Sequence, residues 1–154
     1  MLIRFKLNDE SIARDAYPNE TLLDFLRNRA RLTSVKKGCD EGACGACTVL
    51  LDGKPVRSCL LLAVQVSDAE VTTIEGLTRR GELTEIQKAF LEKYGFQCGF
   101  CTPGMILVAK ALLDEKPNPT VDEIKDAFVG NLCRCTRYEQ IIDSVLRAAE
   151  LRAG

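Results

Sequence analysis

The sequence predicts an α+β fold in which a β-rich half is followed by a helical half. Apolar and charged residues alternate near the N-terminus, which is typical of strands, whereas apolar residues recur at helical spacing from residue 84 onward. The chain has 154 residues with 46% hydrophobic content, enough for a buried core. We expect one unit at residues 1–76, a linker at 77–83 and a second unit at 84–154.

The β-rich half begins with a predicted hairpin. Ile3, Phe5 and Leu7 alternate with charged residues, and the turn residues Asn8-Asp9 let residues 11–16 return as a partner strand. A helix is expected over residues 21–30, with Asn19 or Thr21 as its N-cap. The further predicted strands are 47–51, 55–62 and 71–74, with a turn at Asp52-Gly53. Together these elements predict a small sheet crossed by one helix.

The helical half carries clear start signals. Capping boxes are predicted at Thr84 with Gln87 and at Thr120 with Glu123. Thr102 precedes a proline and is expected to cap a helix whose first residue is that proline. The stretch "DEKPNP" at 114–119 separates the second helix from the third, and a fourth begins near residue 138. Four helices predict a small bundle.

Composition excludes several classes of function. Lys and Arg number 21 against 22 acidic residues, which gives no reason to expect nucleic acid or an anionic membrane as partner. The basic run 27–37 is interpreted as a solvated helix end, with a docking face as the alternative. The N-terminus has no hydrophobic signal core, and "MILVAKALL" at 105–113 is too short for a membrane span, so we expect a cytoplasmic protein with a buried helix there.

The eight cysteines are the strongest functional signal. Without an export signal, structural disulfides are not expected, and the absence of histidine leaves thiolate as the candidate metal ligand. The cysteines form two sets of four, one in each half. The first set is Cys39, Cys44, Cys47 and Cys59 (C-x4-C-x2-C-x11-C), and the second is Cys98, Cys101, Cys133 and Cys135 (C-x2-C-x31-C-x-C).

The first three cysteines match the plant-type [2Fe–2S] run C-x4-C-x2-C. Gly38, Gly42 and Gly45 let the backbone bend close to a cluster, with backbone N–H groups directed at sulfur. Zinc is the alternative, more so for the second set than for the first, although zinc sites normally use two short cysteine pairs. The chain shows no nucleophile motif or phosphate-binding loop, and its adjacent carboxylates are expected to be solvated.

Four stretches together resemble one family, the small [2Fe–2S] subunit of the xanthine oxidase family of molybdenum hydroxylases. They are "GCDEGACGACTV", the "SC" at 58–59, "QCGFCTPGM" and "GNLCRCTRY". The small subunits of carbon monoxide dehydrogenase and 4-hydroxybenzoyl-CoA reductase are also similar. The resemblance implies a β-grasp ferredoxin domain followed by a four-helix domain, each holding one [2Fe–2S] cluster through its own set of four cysteines.

The resemblance also implies partners and an electron path. A large subunit would carry molybdopterin and a medium subunit FAD, in a heterotrimer or its dimer. Electrons would pass from molybdenum to the helical-domain cluster, then to the β-grasp cluster and FAD. Gln97 matches a glutamine that contacts the pterin, and Cys135 would lie close to it. No substrate-converting site is expected on this chain.

One position departs from the family pattern C-R-C-T-G-Y, because Arg137 stands where glycine is common. If that position requires positive φ, the arginine costs strain, and its charge changes the field near the cluster. Two other functions stay open from the residues alone, a free-standing two-cluster ferredoxin and a zinc-stabilised interaction module. The near-neutral charge weighs against the free ferredoxin, since soluble carriers often dock through a strong charge.

Overall fold

The computed structural model describes residues 1–78 and 81–154; residues 79 and 80, within the predicted linker 77–83, lie outside the described residues. The described strands are β1 (Leu2–Leu7), β2 (Glu10–Asp15), β3 (Thr48–Leu51), β4 (Lys54–Arg57) and β5 (Glu70–Thr72). The described α-helices are α1 (Leu22–Asn28), α2 (Glu85–Glu92), α3 (Thr102–Glu115), α4 (Val121–Ala127) and α5 (Tyr138–Ala153). The predicted α+β class is confirmed.

The strands form one mixed sheet in the order β2-β1-β5-β3-β4. Only the β1–β5 pair among these neighbours is parallel, and Val71 of β5 lies opposite both Leu7 and Leu51. Helix α1 buries its apolar side chains against this sheet, where the rings of Phe5 and Phe25 lie 5.7 Å apart between centroids. Thr21, one of the two predicted candidates, is the N-cap of α1 and accepts the N–H of Asp24.

The predicted strand 55–62 is wrong beyond residue 57. Strand β4 ends at Arg57, and Ser58–Leu60 and Ala63–Val66 form 3-10 turns. The Ser58 hydroxyl donates to the carbonyl of Cys47, and the carbonyl of Leu61 accepts the first N–H of α1. These bonds draw the chain away from the sheet, so Cys59 lies on a 3-10 turn and not on a strand.

The helix starts in the second half are mostly as predicted. Capping boxes are confirmed at Thr84 and at Thr120, where side chain and backbone bond reciprocally. The predicted cap at Thr102 is wrong, because α3 begins one residue earlier than expected and Cys101 occupies the N-cap position. The carbonyl of Cys101 accepts the N–H of Met105, and the Thr102 hydroxyl is buried without a partner in the protein.

Two hydrophobic cores meet where α3 packs on β3. One core lies between the sheet and α1, and the other lies among α2 to α5 and includes Leu50 from β3. Gly104 makes this contact close, since a Cβ there would lie 2.9 Å from the carbonyl oxygen of Gly45. Residues 105–109 of α3 are buried, which confirms the predicted buried helix. Within the described part of the chain, no helix is long and apolar enough to cross a membrane.

We expect Thr120→Ala to reduce stability by about 1 kcal/mol, because its hydroxyl accepts the N–H of Glu123 at the start of α4. Thr120→Ser keeps that hydroxyl and is the matched control, which should unfold close to the wild type. Urea titration of the two variants measures the difference. If the serine variant lost as much stability as the alanine variant, the cap would not be the cause.

Candidate metal centres

The first site is built on the cysteine loop, residues 38–47, between α1 and β3. The Cys39 sulfur accepts backbone N–H groups from Glu41 at 3.5 Å and Cys44 at 3.3 Å. Positive φ angles at Gly42 (81°) and Gly45 (71°) turn the backbone so that its N–H groups point inward, as predicted. Gly38 is not among the positive-φ residues. The loop therefore wraps its N–H groups around a thiol instead of burying an apolar side chain.

Cys47 and Cys59 complete the first site from deeper in the protein. Cys47 directly precedes β3, and Cys59 lies on the 3-10 turn after β4. Both are buried, and their thiols interact with one another. The two hydrogen bonds from Ser58 to the carbonyl of Cys47, from its hydroxyl at 2.8 Å and its N–H at 3.4 Å, fix this approach.

The second site joins the start of α3 to the loop before α5. The sulfurs of Cys98 and Cys135 are 3.3 Å apart and exposed. Cys101, at the N-cap of α3, interacts with the Cys133 thiol below them. The Cys133 sulfur also accepts the N–H of Thr136 at 3.4 Å. Four cysteines separated by up to 37 positions are thus brought to one place.

Backbone N–H groups and burial shift the thiol pKa values in opposite directions. The N–H groups of Glu41 and Cys44 lower the pKa of Cys39 to about 7, and the N–H of Cys98 does the same for Cys135. Burial, reinforced by Cys47, raises the pKa of Cys59 to about 11. Burial, reinforced by Cys133, raises the pKa of Cys101 to about 12. Each site therefore combines a thiol of lowered pKa with a more deeply placed thiol of raised pKa, buried at Cys59 and partly buried at Cys101.

The arrangement of the sulfurs indicates which kind of metal group each set could hold. Cys39 interacts with Cys44, Cys47 with Cys59, Cys98 with Cys135 and Cys101 with Cys133, and Cys133 also interacts with Cys135. All eight cysteines are free thiols. Among the described residues, no three candidate ligands converge on one ion position. Two thiol pairs per site match two irons with two cysteines each, and a single zinc ion would need all four around one point.

The two sites are tied together by the bridging segment, residues 130–132. The Leu132 N–H donates to the carbonyl of Cys44 at 2.8 Å. The Asn131 amide donates to the Gly45 carbonyl and to the Thr48 hydroxyl, both at 3.2 Å. These bonds join a ligand candidate of the first set directly to the residue before Cys133.

Arg57 and Tyr138 support the bridging segment from either side. A guanidinium N–H of Arg57 donates to the Gly130 carbonyl at 3.0 Å. The Tyr138 hydroxyl donates to the Asn131 carbonyl at 2.9 Å and accepts the Cys133 N–H at 3.0 Å. Sequence reasoning missed these residues, and the only available signal was the "GNL" that directly precedes Cys133.

Arg137 does not suffer the backbone strain that a positive φ would cause. Arg137 is the N-cap of α5 with φ −73° and ψ 137°, an extended conformation that any residue adopts. Its side chain is exposed, as is that of Arg134. Gln97 is exposed beside Cys98, and its predicted pterin contact stays a prediction.

Most of the basic run 27–37 is bonded within the chain. Arg29 pairs with Glu20 at 2.7 Å, and Lys37 bridges Asp24 and Asp40. Arg27 donates to the carbonyls of residues 33 and 35. These cations are used to hold the local loops.

Comparison with known proteins identifies two iron–sulfur domains in the chain. Residues 5–84 match the family described as a 2Fe-2S iron-sulfur cluster binding domain, and residues 73–146 match a [2Fe-2S] binding domain. The chain is 51% identical to the nicotinate dehydrogenase small FeS subunit of Eubacterium barkeri, over 96% of this chain and 94% of that one. It is 49% identical to the nicotine 6-hydroxylase small subunit of Paenarthrobacter nicotinovorans, over 90% of this chain and 82% of that one.

Solved structures give the same result. The quinoline 2-oxidoreductase of Pseudomonas putida 86 superposes with a TM-score of 0.96 at 43% identity, covering all of this chain and 97% of that one. The aldehyde oxidoreductase of Desulfovibrio desulfuricans also gives 0.96 at 44% identity, covering 99% of this chain but 17% of that one. The expected β-grasp ferredoxin domain and helical cluster domain are confirmed.

Fold and sites together define an iron–sulfur electron-transfer protein that carries two [2Fe–2S] clusters. The chain belongs to the small iron–sulfur subunits of the xanthine oxidase family of molybdenum hydroxylases. It is the electron-transfer subunit of such an oxidoreductase, and the free-standing ferredoxin and zinc module are not favoured.

We expect Gly130→Ala to destabilise the protein more than Gly53→Ala does. Both glycines have positive φ, 83° and 79°, so each alanine costs about 1–2 kcal/mol from the backbone alone. A Cβ at Gly130 would lie 2.0 Å from a guanidinium nitrogen of Arg57, whereas a Cβ at Gly53 meets nothing within 4 Å. Displacing Arg57 adds about 1.5–3 kcal/mol for the lost charged hydrogen bond. Equal costs in urea titrations of the two variants would contradict this role of Gly130.

Proposed function

We propose that the two sets of cysteines are the ligands of the two clusters, arranged as the thiol pairs described above. For the first cluster the ligands are Cys39, Cys44, Cys47 and Cys59; for the second they are Cys98, Cys101, Cys133 and Cys135. The observation that carries the assignment is the convergence of thiols, with the Cys98 and Cys135 sulfurs 3.3 Å apart, together with backbone N–H groups that donate to the sulfurs of Cys39 and Cys133. We also propose domain limits of 1–76 and 84–154 with a linker at 77–83.

When bound, each cluster accepts and passes on one electron at a time. The chain supplies the charge balance. Cys39 and Cys135, with pKa values of about 7, are substantially thiolate at neutral pH, whereas Cys59 and Cys101 must release protons when iron binds. The N–H groups of Cys44 and Thr136 then donate to ligand sulfur, which stabilises the added negative charge.

The bridging segment supports an electron relay between the two sites. Cys44 belongs to the first ligand set, and its carbonyl accepts the N–H of Leu132, which is bonded through its own carbonyl to Cys133 of the second set. One hydrogen bond therefore completes a continuous bonded route between the two ligand sets. We propose that electrons pass from the helical-domain cluster to the β-grasp cluster along this side of the molecule.

Exposure supports an assignment of the face toward the molybdenum partner. Gln97, Cys98 and Cys135 are exposed together at the surface of the second site. Leu132, three residues before Cys135, is 58% exposed. We propose that this face meets the molybdopterin of a large subunit, with Gln97 contacting the pterin and Cys135 close to it.

We propose that the chain assembles with a large molybdopterin-binding subunit and a medium FAD-binding subunit, as a heterotrimer or its dimer. The same unit spans nearly all of one chain in the quinoline enzyme and 17% of a longer chain in the aldehyde enzyme. Occurrence both as a separate chain and as a fused segment supports stable association with the rest of the enzyme. We propose that the complex lies in the cytoplasm, where reducing conditions keep thiols available as cluster ligands.

We expect Cys133→Ser to remove or damage only the helical-domain cluster and Cys47→Ser to remove or damage only the β-grasp cluster. Each substitution takes one thiolate from one set and leaves the other set complete. Electron paramagnetic resonance of the reduced complex, with iron and acid-labile sulfide analysis, measures the outcome. Two intact cluster signals in either variant would contradict the ligand assignment.

We expect two larger chains to co-purify with a tagged form of this protein, one with molybdenum and one with FAD. Native mass spectrometry, metal analysis and flavin absorbance check the composition. A cluster-loaded chain that remains a monomer under the same conditions would contradict the proposed assembly.

A further inference from the structure

Arg57 is the half-buried cation at the junction of the two cysteine sets. It ends β4 two residues before Cys59, and its guanidinium donates to the carbonyl of Gly130, three residues before Cys133. The approach is close enough that a Cβ at Gly130 would overlap the guanidinium. The cation is therefore adjacent in sequence to one set and bonded to the segment that leads into the other.

The guanidinium of Arg57 has a donor that the protein leaves unused. Its Nε is shielded from solvent and has no hydrogen-bond partner. A buried charged donor without a partner is costly unless negative charge nearby compensates it. Four thiolates leave an oxidised [2Fe–2S] cluster with net negative charge, and reduction adds to that charge. The two cysteine sets on either side would provide this compensation once they hold clusters.

Other arginines near the second site act under stronger screening. Arg134 and Arg137 are exposed, so solvent and salt weaken their effect on a cluster. Arg57 is partly buried, where the effective dielectric is lower. A permanent charge in that position favours the reduced state of any redox centre near it.

We propose that Arg57 is a positioning residue of the electron relay that raises the reduction potential of both clusters and fixes the bridging segment between them. The proposal rests on the ligand assignment proposed above. The cation favours the reduced form of both clusters. An electron that moves from one cluster to the other therefore stays stabilised by the same positive charge.

The test compares the Arg57→Gln and Arg57→Lys variants with the wild-type protein, each in the cluster-loaded complex. Redox titration followed by electron paramagnetic resonance measures the midpoint potential of each cluster. Coulomb's law for a unit charge acting over about 10 Å at an effective dielectric constant of about 20 gives roughly a tenfold change in a redox equilibrium, and we expect a change of that order for each cluster. That change corresponds to a fall of about 59 mV in both midpoint potentials for Arg57→Gln. Arg57→Lys retains the charge and should recover most of the shift.

Arg137→Gln is the matched control, because it removes the same charge from an exposed position near the second site only. It should leave the β-grasp potential unchanged and shift the helical-domain potential less than Arg57→Gln does. Unchanged potentials in Arg57→Gln, a shift of one cluster alone, or an equal fall in Arg57→Lys would each overturn the proposal. Full iron and sulfide content in the Arg57 variants keeps these outcomes distinct from failure of the ligand assignment, which would show as two intact cluster signals in Cys133→Ser or Cys47→Ser.

Discussion

The packing of the bridging segment, residues 130–132, against the cysteine loop is the contact on which both sites depend. Its hydrogen bonds join residues more than 80 positions apart, from Leu132 to Cys44 and from Asn131 to Gly45 and Thr48. These hydrogen bonds lie beside the candidate ligands of both sites. A movement of one site would therefore break bonds that hold the other. Gly104 on α3 approaches the same carbonyl of Gly45, so the helical core seats directly on this junction.

In each site, the thiol pKa depends on how deeply the cysteine lies in the protein. Backbone N–H groups can reach a sulfur only where the chain turns around it, as the cysteine loop does around Cys39, and this lowers the pKa. A thiol at the foot of a core helix, such as Cys101, instead loses water and keeps its proton. If clusters bind, the thiols of raised pKa, Cys59 and Cys101, would be the ones that give up protons.

Local patterns predicted much of this arrangement. The two cysteine sets, the hairpin turns and the capping boxes at Thr84 and Thr120 are signals carried by residues close in sequence. The predictions were wrong where hydrogen bonds between distant parts of the chain overrode these local signals. Apolar residues after β4 suggested a longer strand, but Ser58 bonds to Cys47 and turns the chain. Arg57 and Tyr138 could not be found from spacing, since their partners depend on how the two halves dock.

The same docking explains why this unit needs two halves at all. The second site is exposed at Cys98 and Cys135, whereas the first has Cys39 and Cys44 partly exposed and Cys47 and Cys59 buried. A charge carrier that receives electrons from one partner and passes them to another must present one centre to each while keeping the two coupled. The bridging segment meets both demands, because it is bonded to a ligand candidate of the first site and runs directly into Cys133 of the second. Its geometry depends on Gly130, whose positive φ and missing side chain admit the guanidinium of Arg57. The bridging segment therefore fixes the positions of both cysteine sets relative to one another.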